Sequence, residues 1–107
     1  MNSIDLGRFR ETLGQVRIEW RRHVLERLAE RSIAQSVVIE VLRSGETIEE
    51  YGHDKPFPSA LFLGYSQDKP YHVVAAYDEA NAKIYVITAY EPSLEAFEPD
   101  YRTRRKQ

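Results

Sequence analysis

The stretch from Tyr71 to Pro92, YHVVAAYDEANAKIYVITAYEP, limits what this chain can become more than any other. Two runs rich in Val, Ile, Ala and Tyr flank the turn residues Asp78 to Ala82. β-Branched and aromatic side chains fit a pleated, half-buried surface and lose rotamer freedom in a helix, so the segment predicts a β-hairpin. Its ends also carry polar groups that burial alone does not select: His72 near the start, and Thr88, Tyr90 and Glu91 near the end. These are the first candidates for a functional site.

Upstream, Arg17 to Ser32 (RIEWRRHVLERLAERS) sets Trp20, Val24 and Leu28 at i, i+4 and i+8, the spacing of an amphipathic helix. A second helical pattern runs from Ile33 to Arg43 and stops at Ser44-Gly45, a common helix terminator. Together they predict a helical hairpin. Ile4 to Leu13 reads as a further short helix, interrupted near Gly14. Beyond Gly45 the period changes. Glu46 to Tyr51 reads as a short strand whose acidic residues suit an unpaired edge. In GHDKPFPS the prolines remove amide donors and force extended or turn geometry. Ala60 to Tyr65 is the next strand, and Ser66 to Lys69 a turn into the hairpin. Helices followed by strands predict an α+β domain: an N-terminal helical hairpin packed on one face of a four-stranded antiparallel meander.

A chain of 107 residues suffices for one domain with its own core. Within the single domain 1–107, residues 1–16 are expected to be an N-terminal extension or short helix, 17–101 the core and 102–107 a basic tail. The absence of cysteine excludes a disulfide framework and a thiolate zinc site. MNSIDLGRFRETLG lacks the apolar core of a signal peptide, and no run approaches the ~20 apolar residues of a membrane span. A cytoplasmic location with no membrane partner is expected.

The net charge of −2 argues against a surface that coats nucleic acid everywhere. Its distribution is uneven. Arg8, Arg10, Arg17, Arg21, Arg22, Arg27 and Arg31 lie in the N-terminal third, Arg102, Arg104, Arg105 and Lys106 crowd the end, and the middle is acidic. If the two ends meet they form an arginine-rich surface suited to phosphate; otherwise they are a solvated helix face and a frayed tail.

The helix HVLERLAERSI, the link SGETIEEYGHDKPFPS, the strand HVVAAYDE and the ending IYVITAYEP followed by PDYRTRRK together resemble the small prokaryotic domain of unknown function 4258, over about His23 to Lys106. The resemblance implies a RelE-like fold, related to RelE/ParE-like and barnase-like ribonuclease toxins. It implies the toxin component of a toxin–antitoxin module, acting as a metal-independent endoribonuclease or a ribosome-directed translation inhibitor. RNA or the ribosome would be the target, a cognate antitoxin the protein partner, and no cofactor would be required.

Metal-independent RNA cleavage needs a base for the ribose 2′-hydroxyl, an acid for the leaving oxygen, and cations for the phosphorane. His23 and Arg27, four apart on one helix face, match the family's H-x-x-x-R helix start and supply two of these. The competing reading is an exposed histidine beside an Arg27–Glu30 ion pair. His72 is either a hydrogen-bonded interior residue or a catalyst, with Tyr90 and Lys55 on the same sheet surface as proton donor and charge stabiliser. His23, Arg27, His72 and Tyr90 are expected to line one cleft between helix and sheet, with Lys55, Arg102, Arg104 and Arg105 contacting RNA. Most of the aromatics should be core, and one or two exposed ones would stack bases. Asp54 and Lys55 also read as ordinary turn residues, and His53 as a solvated loop residue. The three histidines lack metal-ligand spacing, so no metal site is expected. The other functional class is a catalytically silent protein-binding module, favoured by the acidic middle; no motif supports a small-molecule enzyme.

Overall fold

The computed structural model describes residues 4–14 and 18–106. The elements, in order, are α1 (Leu6–Gly14), β1 (Ile18–Glu19), α2 (Arg22–Glu30), α3 (Gln35–Ser44), β2 (Glu46–Tyr51), β3 (Ser59–Ser66), β4 (Lys69–Asp78) and β5 (Lys83–Tyr90). The sheet order is β1-β5-β4-β3-β2. β2 to β5 form the antiparallel meander that the sequence indicates, with β4 and β5 as the hairpin.

The sheet differs from the expected four antiparallel strands in one respect. β1 adds a fifth strand, parallel to β5, with Ile18 opposite Ile84 and Glu19 opposite Tyr85. Those residues fall inside the helix expected from Arg17, because Trp20 continues the i, i+4 series of Val24 and Leu28. The helix instead begins at Arg22, after an extended Arg21, and Trp20 packs on the core from the strand-to-helix turn. Arg17, the expected helix start, lies outside the described residues.

Three helices, rather than a hairpin of two, supply one side of the core. Alternate sheet residues meet them: Ala60 and Phe62 on β3, Tyr71, Val73, Ala75 and Tyr77 on β4, and Ile84, Val86 and Ala89 on β5. The short helix expected over Ile4 to Leu13 is integral to this layer. Phe9 is completely buried, stacked on Phe62 at 5.2 Å and edge-on to Tyr77 at 5.4 Å. Thr12 Oγ1 and Tyr77 Oη share a buried hydrogen bond of 2.8 Å. Arg10 Nη2 donates to the Gly45 carbonyl at 2.6 Å, satisfying an acceptor at the end of α3. α3 lies close on β3, where a Cβ on Gly64 would stand 3.0 Å from Val41 Cα.

The opposite sheet face is covered as well. Residues 91–106 fold back over it, with an isolated bridge between Phe97 and Arg104. Leu61 and Leu63 are therefore buried although they point away from the helices. The expected basic tail is the end of this cover: Arg104 lies over the Phe97 ring at 5.0 Å. Gln107 lies outside the described residues.

Candidate functional site

Helical geometry puts His23, Arg27 and Arg31 along one exposed flank of α2 and the residue that caps it, beside the buried stripe of Val24 and Leu28. Eight residues at 1.5 Å each make this row about 12 Å long. The flank follows β5 where β1 no longer pairs with it. At one end His23 lines a cavity together with Ile87 of β5. At the other, Arg31 Nη1 donates to the Ala89 carbonyl at 2.8 Å and to Thr88 Oγ1 at 3.3 Å. An open depression of about 550 Å³ on this helix surface is lined by His23, Glu26, Arg27, Ala29 and Glu30, two cation-forming side chains and two carboxylates. Arg27 pairs with Glu30 at 3.8 Å, as the competing reading of the sequence held. Both side chains are 66% exposed, so the pair stabilises little.

His72 and Tyr90 are register partners on the face away from the helices. His72 is completely buried, enclosed by Tyr90 and by Phe97, whose ring stands edge-on at 4.6 Å. Its Nε2 donates to the Tyr101 carbonyl at 2.6 Å. Nδ1 is then the acceptor for the Tyr90 hydroxyl, 3.3 Å away. Burial lowers the His72 pKa, against the hydrogen bond to Tyr101, which raises it, and with the Arg104 charge adding to the lowering; the balance favours the neutral ring. Burial raises the Tyr90 pKa, while Arg104 and Arg31 oppose it. Tyr90 therefore stays a protonated donor, its hydroxyl oriented by His72 and within the field of Arg31.

The expected foursome thus divides into two pairs. His72 meets Tyr90 on one face of the sheet, and His23 and Arg27 share the α2 flank on the other side of the β5 edge. A single cleft is not formed, because alternation along β4 sends His72 away from the helix layer. Arg31 and Thr88 are the link between the pairs. The signal for Arg31 was present, one further i+4 step beyond His23 and Arg27; its contact with β5 was not legible.

The C-terminal arginines do not join His23, Arg27 and Arg31 on the α2 flank. Arg102 pairs with Glu46, and Arg104 binds Glu49 through Nε at 2.7 Å and Nη2 at 3.1 Å. Both acids lie on β2, at the sheet edge opposite α2 and β5. Arg105 pairs with Glu98 at 3.2 Å. The acidic edge strand is matched by the chain's own C-terminal cations. Lys55 is elsewhere again: it lines the same cavity as His23, beside Asp54, whose carboxylate accepts from Ser59 Oγ at 2.5 Å. Among the described residues no group of three or more His, Asp or Glu side chains is placed to hold a metal ion, and no helix is long and apolar enough to cross a membrane.

The model of the family described as a domain of unknown function, DUF4258, matches residues 20–91. The chain belongs to this family. No curated protein and no solved structure matches it. The DUF4258 match takes in α2 through β5, and so His23, Arg27, Arg31, His72, Thr88 and Tyr90. It leaves out α1 and the C-terminal cover, whose Phe9 and Phe97 are nonetheless buried.

Proposed function

We propose that this DUF4258 protein is an RNA-directed toxin of RelE-like kind, acting as an endoribonuclease or as a ribosome-directed translation inhibitor and held in check by a cognate antitoxin. The observation that carries the reading is the row His23, Arg27 and Arg31 along the β5 edge, ending against Thr88 within reach of the Tyr90 field. An imidazole is the side chain best suited to exchange a proton near neutral pH. Two guanidiniums beside it suit a phosphate and the charge that builds on it during cleavage. Tyr90 stands across the β5 edge from this row with its hydroxyl proton held by His72 Nδ1, so it becomes the matching donor only when that bond opens. His72 acts here as a positioning residue, because no substrate reaches it. The C-terminal arginines enter RNA binding only if their carboxylate pairs open.

The second reading, a catalytically silent protein-binding module, is favoured by two specific observations: His72 is sealed, and Arg102, Arg104 and Arg105 are each neutralised within the chain. The deciding experiment incubates the purified chain with single-stranded RNA and with translating ribosomes, alongside His23→Ala and Tyr90→Phe. General acid–base groups contribute roughly 100- to 10,000-fold. Cleavage reduced at least about 100-fold in either folded variant supports the toxin reading. Neither cleavage nor translation block by the wild type moves the assignment to the binding module.

A further inference from the structure

The first turn of α2, the loop after β2 and the start of β5 enclose a cavity of about 330 Å³, at the lower end of the ~300–1,000 Å³ typical of small-molecule sites. Two aromatic rings stand in its wall, beside Val24, Pro56, Val86 and Ile87, and they pack on each other. Phe57 stacks on Tyr85 with centroids 5.6 Å apart and planes within 5°. The Arg21 guanidinium stands 5.8 Å from the Tyr85 centroid. Ala76, opposite Tyr85 in register, is small and leaves room beneath. The β4–β5 register breaks next to this point, between Val74 and Ala75, and Ile87 is turned out, 44% exposed, at the cavity. Bulges of this kind recur beside binding and catalytic sites because they re-aim a side chain.

The polar groups around the cavity are unequal. Arg21 and Lys55 are basic side chains and His23 an imidazole, whereas Asp54 is an acceptor fixed by Ser59. The carboxylate repels an anion but accepts from a ring N–H, while the cationic side chains attract an anion. An apolar, partly aromatic pocket with that polarity suits a planar base joined to a phosphate. His23 lines both this cavity and the depression along Arg27.

We infer that the cavity is a nucleobase pocket, holding one base of a single-stranded RNA whose adjoining phosphate lies on His23 and Arg27. The inference rests on the RNA reading above and names the contact that reading lacks. The full chain is titrated with the four nucleoside 3′-monophosphates, with inorganic phosphate and with an eight-nucleotide single-stranded RNA, while backbone amide shifts are followed. Nucleotides should move the amides of Phe57, Tyr85 and Ile87, and inorganic phosphate should move only those near His23 and Arg27. Phe57→Ala should weaken nucleotide and RNA binding by about tenfold or more, the effect of losing one stacked base. Lys55→Gln, an exposed loop change that spares the core, should weaken it severalfold. RNA binding unaffected by both variants, with no shifts at Phe57 and Tyr85, overturns the pocket and leaves the α2 interface standing. Mononucleotide bound in the pocket without RNA binding supports the pocket and overturns the RNA reading. No binding of either overturns both.

Discussion

His72 donates from Nε2 to the main-chain oxygen of Tyr101 at 2.6 Å, joining the middle of the sheet to the segment that covers it. The carbonyl is delivered by a local turn. Tyr101 has φ 57°, in the left-handed region, and Asp100 accepts from the Thr103 and Arg102 amides and the Thr103 hydroxyl, which bring its carboxyl down to about 2. The sealed histidine is therefore held by a folded C-terminal segment.

This gives stability a defined pH dependence. Burial lowers the His72 pKa in the folded state, so the unfolded chain binds the proton more readily. The contribution of the neutral ring is fully present above the unfolded value of about 6.5 and is lost as pH falls through the folded value. Urea midpoints measured from pH 8 to 5 should decline below about 6.5 in the wild type. His72→Gln should flatten that decline; equal slopes in the two proteins would remove His72 as its source.

The Arg104–Glu49 pair clamps the same cover to β2. The Arg104 hydrogen bond is the largest influence lowering the Glu49 pKa. The two side chains are 55% and 26% exposed, so solvent screens the pair and a coupling of at most about 1 kcal/mol is expected. A double-mutant cycle with Arg104→Gln and Glu49→Gln measures it, and the coupling should shrink in 1 M salt. A coupling indifferent to salt would point to packing on Phe97 instead.

Much of this arrangement is legible in the residues, and what escapes has physical causes. The Val-, Ile- and Tyr-rich runs fix the hairpin, because period and turn chemistry are local. The two-residue β1 is not legible: Ile18 and Trp20 fit a helical series as well as a strand, and only pairing with Ile84 and Tyr85 decides. α1 looks dispensable until Phe9 meets Phe62, a contact 53 positions away in the chain. The H-x-x-x-R pattern places His23 and Arg27 on one flank, but strand parity and the fold-back of residues 91–106 determine that His72 faces elsewhere. Arg102 and Arg104 look free because their acids lie on β2, more than fifty residues earlier.

The helix layer should be costly to truncate. Leu28 is 3% exposed and Phe9 is fully buried, so Leu28→Ala should cost about 2–5 kcal/mol and Phe9→Ala about 3–5 kcal/mol. Chemical denaturation checks both. A loss below ~1 kcal/mol for Phe9→Ala would mean that α1 does not belong to the cooperative unit.

Gly45 makes a closer backbone approach than Gly64. A Cβ there would stand 2.5 Å from the Val41 carbonyl oxygen and 2.6 Å from that of Leu63, against 3.0 Å for the nearest atom at Gly64. Both obstacles at Gly45 are main-chain atoms, which cannot rotate aside. Gly45→Ala should cost about 1–3 kcal/mol, as overpacking does, and more than Gly64→Ala. The reverse order of melting temperatures would show that the α3–β2 junction yields more easily than the α3–β3 contact.

The salt dependence of RNA binding separates the two sets of arginines. Arg27 spends its charge on one exposed carboxylate, whereas Arg104 binds Glu49 through two hydrogen bonds and Arg102 and Arg105 are each paired at the far side of the sheet. Each phosphate contact removed should lower the slope of log affinity against log salt by about 0.7 for a single strand. Arg27→Gln should therefore flatten the slope by about that amount. The Arg102→Gln, Arg105→Gln double variant should leave it unchanged while lowering stability slightly. The assay is binding of a short single-stranded RNA between 50 and 200 mM salt, with circular dichroism confirming the fold of each variant. A slope that responds to the tail and not to Arg27 would place the interface on β2, and would require the carboxylate pairs there to open when RNA binds.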